Sequence, residues 1–202
     1  MANKKQKKQG SKQQFLSDEQ YLKQRARTLE IGKCYVSDCI KEAGVGNVIV
    51  TRRHTGGRVS MAAYLVDIYC LGVKRTLYNL RIEENELEER LGNVSDKLSE
   101  CTYEEAHNWI YGAIAFAEEA GIKPDKSFAL TRYMLEEDND DVPLIEYEFG
   151  KDGKHFLFAN SQLEASRYLP LLKKNLGEGN YDFLIDITPP GEYNCDDSAD
   201  GL

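Results

Sequence analysis

The apolar and polar positions of this chain organise around one stretch, Asn47 to Ile82. Asn47-Val48-Ile49-Val50-Thr51-Arg52-Arg53 is rich in β-branched residues and predicts a strand. His54-Thr55-Gly56-Gly57 supplies a turn, because glycine reaches positive φ without steric cost. Arg58 to Cys70 predicts a second, longer strand. Strand alternation puts Val59, Met61, Ala63, Leu65, Asp67 and Tyr69 on one face and Ser60, Ala62, Tyr64, Val66, Ile68 and Cys70 on the other. From Met61 both faces are apolar or aromatic, as in a strand covered on both sides. A third strand, Thr76 to Ile82, follows Gly72.

Helical patterns flank this core. Ser17 with Gln20 is a capping box that starts a helix from Asp18 to about Leu29, with Gly32 closing it. Lys33–Ser37 predicts a short strand, after which Ser37 or Asp38 caps a turn of helix stopped by Gly44 and Gly46. Glu83–Leu91 is an acidic helix with Leu87 and Leu91 on one face, and 93–100 reads as a linker. Thr102 with Glu105 caps the best helix of the chain, apolar nearly all round to Ala120 and therefore buried. Its mid-helix Gly112 costs about 1 kcal/mol against alanine, which predicts close packing against a strand. Ser127–Leu135 predicts a short helix. Leu144–Phe149 and His155–Ala159 predict a hairpin joined through Gly150–Lys154. Ser161 with Glu164 starts two short helices, or one kinked at Pro170, and Tyr181–Ile187 predicts a last strand.

Together these elements predict an α+β class for a single domain at 15–188, with an antiparallel or mixed sheet packed by a buried helix and short flanking helices. Residues 1–14, a basic tail, and 189–202, an acidic one, have too little apolar surface to order and are expected to be disordered. The charge is unevenly placed. The chain carries −8 overall, yet residues 1–27 hold eight Lys and Arg against Asp18 and Glu19, so this segment is +6 and the remainder −14.

Cysteines Cys34, Cys39, Cys70, Cys101 and Cys195 show no CxxC spacing, and the start has no apolar leader segment. No apolar run approaches the roughly 18 residues of a membrane helix. The expectation is a cytoplasmic protein with reduced thiols. No G-x-S-x-G, phosphate loop or G-x-G-x-x-G after a strand is present, which disfavours serine hydrolases, P-loop NTPases and Rossmann enzymes and leaves no cofactor implied. Nor does the spacing of His54, His107 and His155 predict a metal site. Glu136–Asp141 lacks the glycine and the distal glutamate of an EF-hand loop, and reads as a solvated acidic loop or a surface for a basic partner.

Three groups of residues are candidates for function. Asp67 is a carboxylate in the most apolar segment of the chain. It either pairs with Arg52, Arg75, Arg81, His107 or backbone N–H groups, or it faces a cleft as a base or metal ligand, with His107 as the second group. Arg52, Arg53 and Arg58, with His54, form a basic cluster at the hairpin turn suited to phosphate. Lys4, Lys5, Lys7, Lys8 and Lys12 suit a polyanion. The leading expectation is a non-enzymatic binding or adaptor protein whose partner is RNA or a ribonucleoprotein, reached through the basic tail and the hairpin. The alternatives are a hydrolase or nuclease-like enzyme using Asp67 with His107 or a metal, and a protein-interaction module working through acidic surfaces.

The run Tyr64-Leu65-Val66-Asp67-Ile68-Tyr69-Cys70-Leu71-Gly72-Val73-Lys74 is similar to a segment of a group of uncharacterised bacterial proteins, in which a Gly-containing hairpin leads into a strand ending Cys-Leu-Gly-Val-Lys. Glu105 to Ala113, with Gly121 and Pro124 beyond, resembles the same group's helix, so the similarity covers roughly residues 45–125. Some members carry other residues where this chain has Arg75-Thr76. The resemblance implies a bacterial cytoplasmic protein and attaches no activity. It singles out Asp67, Cys70, Gly72, Lys74 and His107 for inspection.

Overall fold

The computed structural model describes residues 16–186. The tail expectations, the five tail lysines and Cys195 lie outside them. Ser17 and Gln20 form the expected capping box of α1 (Asp18–Arg25). The helix ends earlier than its pattern suggested: a short 3-10 turn, Ala26–Thr28, leads straight into β1 (Glu30–Ser37). Gly32 therefore belongs to a strand, where its missing Cβ admits Thr51. After a single turn of helix, α2 (Ile40–Ala43, preceded by Cys39 without a side-chain cap), come β2 (Val45–Arg53), β3 (Val59–Asp67) and β4 (Gly72–Ile82).

These strands form an antiparallel sheet with order β4-β3-β2-β1-β5. The fifth member, β5 (Leu98–Cys101), lies within and just beyond the stretch expected to be a linker, and it pairs with β1 so that Cys34 opposes Cys101. The predicted alternation of β3 holds. Ala62, Tyr64 and Val66 face α4 (Tyr103–Glu119), where they meet Ala106, Trp109, Ile110 and Ala113. Met61 and Ala63 face the opposite side, which Leu87 of α3 (Glu84–Gly92) covers in part. Thr102 and Glu105 cap α4 reciprocally, as their spacing predicts. A single-turn helix, α5 (Phe128–Thr131), and a 3-10 turn, Arg132–Met134, complete the layer over the sheet.

The predicted Leu144–Phe149 hairpin does not form. That segment crosses α4 without pairing to a strand, and Asn108 supplies partners for it: the side chain accepts from Ile145 N at 3.0 Å and donates to Pro143 O at 2.9 Å. Tyr147 stacks on Trp109 with centroids 3.8 Å apart. Gly112 is the notch that makes the crossing possible, since a Cβ there would stand 2.5 Å from the Phe149 ring. The close approach expected of this glycine is thus to an aromatic ring and not to a strand. β6 (His155–Ala159) instead pairs in parallel with β7 (Tyr181–Ile185) across α6 (Gln162–Leu176). α6 continues through Pro170. Proline and Ser166, whose carbonyl loses its helical N–H, are both exposed, so water can replace the missing bond.

The β3–β4 turn joins the two sheets. Ile68 O accepts from Gly150 N at 2.8 Å, and Tyr69 O from Phe156 N at 2.9 Å. Cys70 and Leu71 of the same turn enter a second apolar cluster with Ala117, Leu157, Ala165 and Leu172.

Candidate functional site

The two ends of β3 carry different chemistry. At the Val59 end the β2–β3 turn is closed by His54 N donating to Arg58 O (2.9 Å) and Gly57 N donating to His54 O (3.0 Å). His54 is held by the core, with one ring nitrogen 2.8 Å from Ser60 Oγ. Its ring stacks against Tyr21 of α1, centroids 6.1 Å apart and nearly parallel. Burial, and then the charges of Arg81 and Arg58, push the His54 imidazole below its ordinary value, so it is neutral at pH 7.

Arg81 completes this end. It is one of two non-glycine residues with positive φ among the described residues, at 57°. The β3–β4 register shifts between Val59 and Met61, and Ser60 Oγ accepts from Arg81 N at 3.2 Å. This bulge re-aims the side chain, and the guanidinium lies over the Tyr21 ring at 4.1 Å. Left-handed backbone at such a residue costs on the order of 1–3 kcal/mol, so the position is held by its surroundings.

Of the three arginines read from the turn, the structure leaves two at this surface. Arg53 is exposed and, among the described residues, makes no ion pair. Arg58 is exposed and pairs with Glu83 at 2.7 Å. Arg52 does not join them. It is 1% exposed and donates to Met134 O (3.0 Å), Leu29 O (2.9 Å) and Glu136 Oε1 (2.7 Å), holding the turn after α1 and the turn after α5 against β2. Arg81 is the residue the sequence reading missed for this surface.

At the other end stands Asp67. It ends β3 three residues short of the predicted strand end at Cys70, and its Oδ1 accepts from Tyr69 N (3.1 Å) and Cys70 N (2.9 Å), fixing the turn. Of the partners expected for it, backbone N–H groups are the ones found. The nearest cation is Lys74, with Nζ 3.9 Å from Oδ2. Burial, at 6% exposure, raises the carboxyl above its ordinary value against the pull of Lys74 and of the backbone donors.

The structure does not bring His107 to Asp67. His107 lies in the N-terminal half of α4 between the rings of Tyr103 and Tyr111, beside Glu136–Asp138. Asp67 sits at the turn that leads to Gly72, which packs on Ala113 and Ala117 farther along α4. The imidazole is 2% exposed, its Nε2 has no hydrogen-bond partner among the described residues, and burial lowers its proton affinity. Cys70, buried beside Asp67, has its thiol pushed up to about 12, so it is not a nucleophile at neutral pH. Cys34 and Cys101 are raised to about 11 and about 12 by the same cause. The four described cysteines are free. Among the described residues, no group of three or more His, Cys, Asp or Glu is placed to hold a metal ion, and no helix is long and apolar enough to cross a membrane.

Comparison with known proteins adds no further constraint: no family model, no curated protein and no solved structure matches this chain.

Proposed function

We propose that this protein is a non-enzymatic binding or adaptor protein that contacts RNA or a ribonucleoprotein through the hairpin end of its sheet together with the lysine-rich N-terminal segment. The observation that carries this reading is the Tyr21 anchor. Tyr21 stacks on His54 and receives Arg81, so the start of α1 is fixed at the hairpin. Lys12 lies nine residues before Tyr21 and reaches at most about 30 Å from it. Lys4, the farthest of the five, is joined to Tyr21 by at most about 60 Å of chain, so all five lysines share one tether anchored at the end of the sheet that carries Arg53, Arg58 and Arg81. Arginine and lysine in such a group meet phosphate oxygens without reading bases, and the partner is then bound with little sequence preference.

The test compares the native chain with two variants, one with Lys4, Lys5, Lys7, Lys8 and Lys12 replaced by Gln and one carrying Arg53→Ala with Arg81→Ala. Each is titrated with a single-stranded RNA of mixed sequence at several salt concentrations. Native affinity is expected to fall steeply with salt. If all five lysines engage, their loss lowers the slope of log K against log salt by about 3.5, and each variant binds at least tenfold more weakly at low salt. Equal, salt-insensitive affinity in all three proteins would overturn the proposal.

A further inference from the structure

Beyond the hairpin surface, at the opposite end of the sheet, we infer that the cleft between the start of β4, the α4–α5 loop and α6 is a binding site for a small anion bearing two or more phosphate groups. The cleft has a volume of about 770 Å³. Lys74 enters it from β4, Lys123 and Lys126 from the loop, and Arg167 from α6, so three separate elements deliver four cations to one cavity in a chain of net charge −8.

The carboxylates at this site have hydrogen-bond donors of their own, and the four cations have no acceptor at hydrogen-bonding distance among the described residues. Asp125 Oδ1 accepts from Ser127 N (2.9 Å) and Ser127 Oγ (2.6 Å), which shapes the loop. Glu164 Oε2 accepts from Asn160 N (2.9 Å) and Asn160 Nδ2 (3.3 Å) before α6. Asp67 is engaged by its own turn. Lys74, by contrast, is only 21% exposed at its side chain and stands 3.9 Å from Asp67 and 3.7 Å from Glu164, both beyond the usual hydrogen-bond range of about 2.7–3.2 Å. Its ammonium group, which has three N–H donors, lines the cleft with two carboxylates at ion-pair range and no acceptor at hydrogen-bonding distance. The side chains of Lys123 and Lys126 make no ion pair among the described residues. Arg167 lies over the Tyr168 ring at 5.1 Å, an arrangement that occupies the guanidinium face and leaves its N–H edge for an anion.

The walls are fixed in place before any ligand arrives. Asp125 N donates to Val73 O at 2.9 Å and Thr76 N to Ser127 Oγ at 2.9 Å, tying the loop to β4 on both sides of Lys126. Asn175 Nδ2 donates to Ala120 O at 2.8 Å, tying the end of α6 to the end of α4. Donors held in this way lose little freedom on binding. Against the carboxylates of Asp125 and Glu164 the four cations leave the lining with two excess positive charges, and their delivery from three elements suits an anion that presents phosphate oxygens at more than one position.

The experiment uses the full chain with its five tail lysines as Gln, so that the tail cannot bind the probe. Inorganic pyrophosphate, orthophosphate and ADP are titrated calorimetrically. Pyrophosphate is expected to saturate one site at least tenfold more tightly than orthophosphate. Lys123→Ala with Lys126→Ala, and separately Arg167→Ala, should each weaken it at least tenfold; these exposed side chains support no internal contact beyond the Tyr168 stack, and circular dichroism checks that both variants are folded. Arg53→Ala with Arg81→Ala should leave it unchanged. Tighter binding of ADP assigns the diphosphate to a nucleotide, with Tyr168 contributing, and equal or weaker binding assigns the diphosphate alone. No saturable pyrophosphate binding, or binding untouched by the cleft substitutions, overturns the inference.

Discussion

Asp67 offers the sharpest check on how this fold is held. Substitution by Asn keeps an oxygen that can accept from Tyr69 N and Cys70 N, whereas Ala removes both bonds. A buried donor left without a partner costs about 1–3 kcal/mol, and Cys70 is fully buried while Tyr69 reaches some water. Asp67→Ala should therefore cost about 2–4 kcal/mol. Asp67→Asn also loses the attraction of Lys74, but that contact is long and partly solvated. The raised carboxyl means that desolvation outweighs it. The net cost of Asn at pH 7 should be within about 1 kcal/mol of zero. The sign with pH follows. A folded-state value above the unfolded one gives stability that is complete below the ordinary value of 3.8 and is lost as pH rises through the folded value. Relative to Asp67→Asn, the native chain should thus be most stable in acid and lose ground towards neutrality. Urea unfolding followed by circular dichroism at acid and neutral pH measures both differences. If Asn proves as destabilising as Ala at pH 7, the charge and not hydrogen-bond acceptance holds the turn, and the reasoning fails.

Arg52→Met should cost about 3–5 kcal/mol, because two backbone carbonyls and Glu136 lose the buried guanidinium; a urea midpoint close to native would show that Arg52 is dispensable to the fold. His107→Phe keeps the ring between Tyr103 and Tyr111 and removes an unpaired buried nitrogen, so it should raise stability by about 1 kcal/mol at pH 7. Because the folded-state value of His107 is depressed, its stability contribution is present above the ordinary 6.5 and lost as pH falls through the folded value; thermal unfolding between pH 7 and 5 should show a shallower decline in the Phe variant.

The parts of the fold visible in the sequence are those set by short-range chemistry. The faces of β3 and the caps of α1 and α4 follow from residues two to four apart, and they stand as read. The parts that were not visible depend on partners distant in sequence. β5 is four residues long and gains its strand character only from β1. Leu144–Phe149 has the alternation of a strand, yet the ring surface of α4 and the Asn108 amide offer it better partners than a hairpin does. Tyr78, Leu80 and Ile82 share one face by period-2 counting. The bulge at Arg81 transfers Ile82 to the opposite cluster, where it packs with Val59 and Leu87. No local pattern announces a left-handed arginine.

The candidate surfaces show the same division. The parity that places Val48 and Val50 inward also places Arg52 inward, so the sequence held the signal that Arg52 is structural and Arg53 is not. Arg81 and the cleft cations carried no comparable signal, because Lys74, Lys123, Lys126 and Arg167 are far apart in the chain and meet only through the ties of Asp125 to Val73 and Asn175 to Ala120. Both surfaces hang on β3, one at Ser60 and the other at Asp67. Seven residues of strand at about 3.4 Å each separate them by roughly 24 Å. That is two to three times the screening length of about 8–10 Å at physiological salt. Charge removed at one end is barely felt at the other. A phosphate ligand in the cleft and an RNA strand at the hairpin are therefore independent claims on this molecule, and a loss of binding at one leaves the other standing.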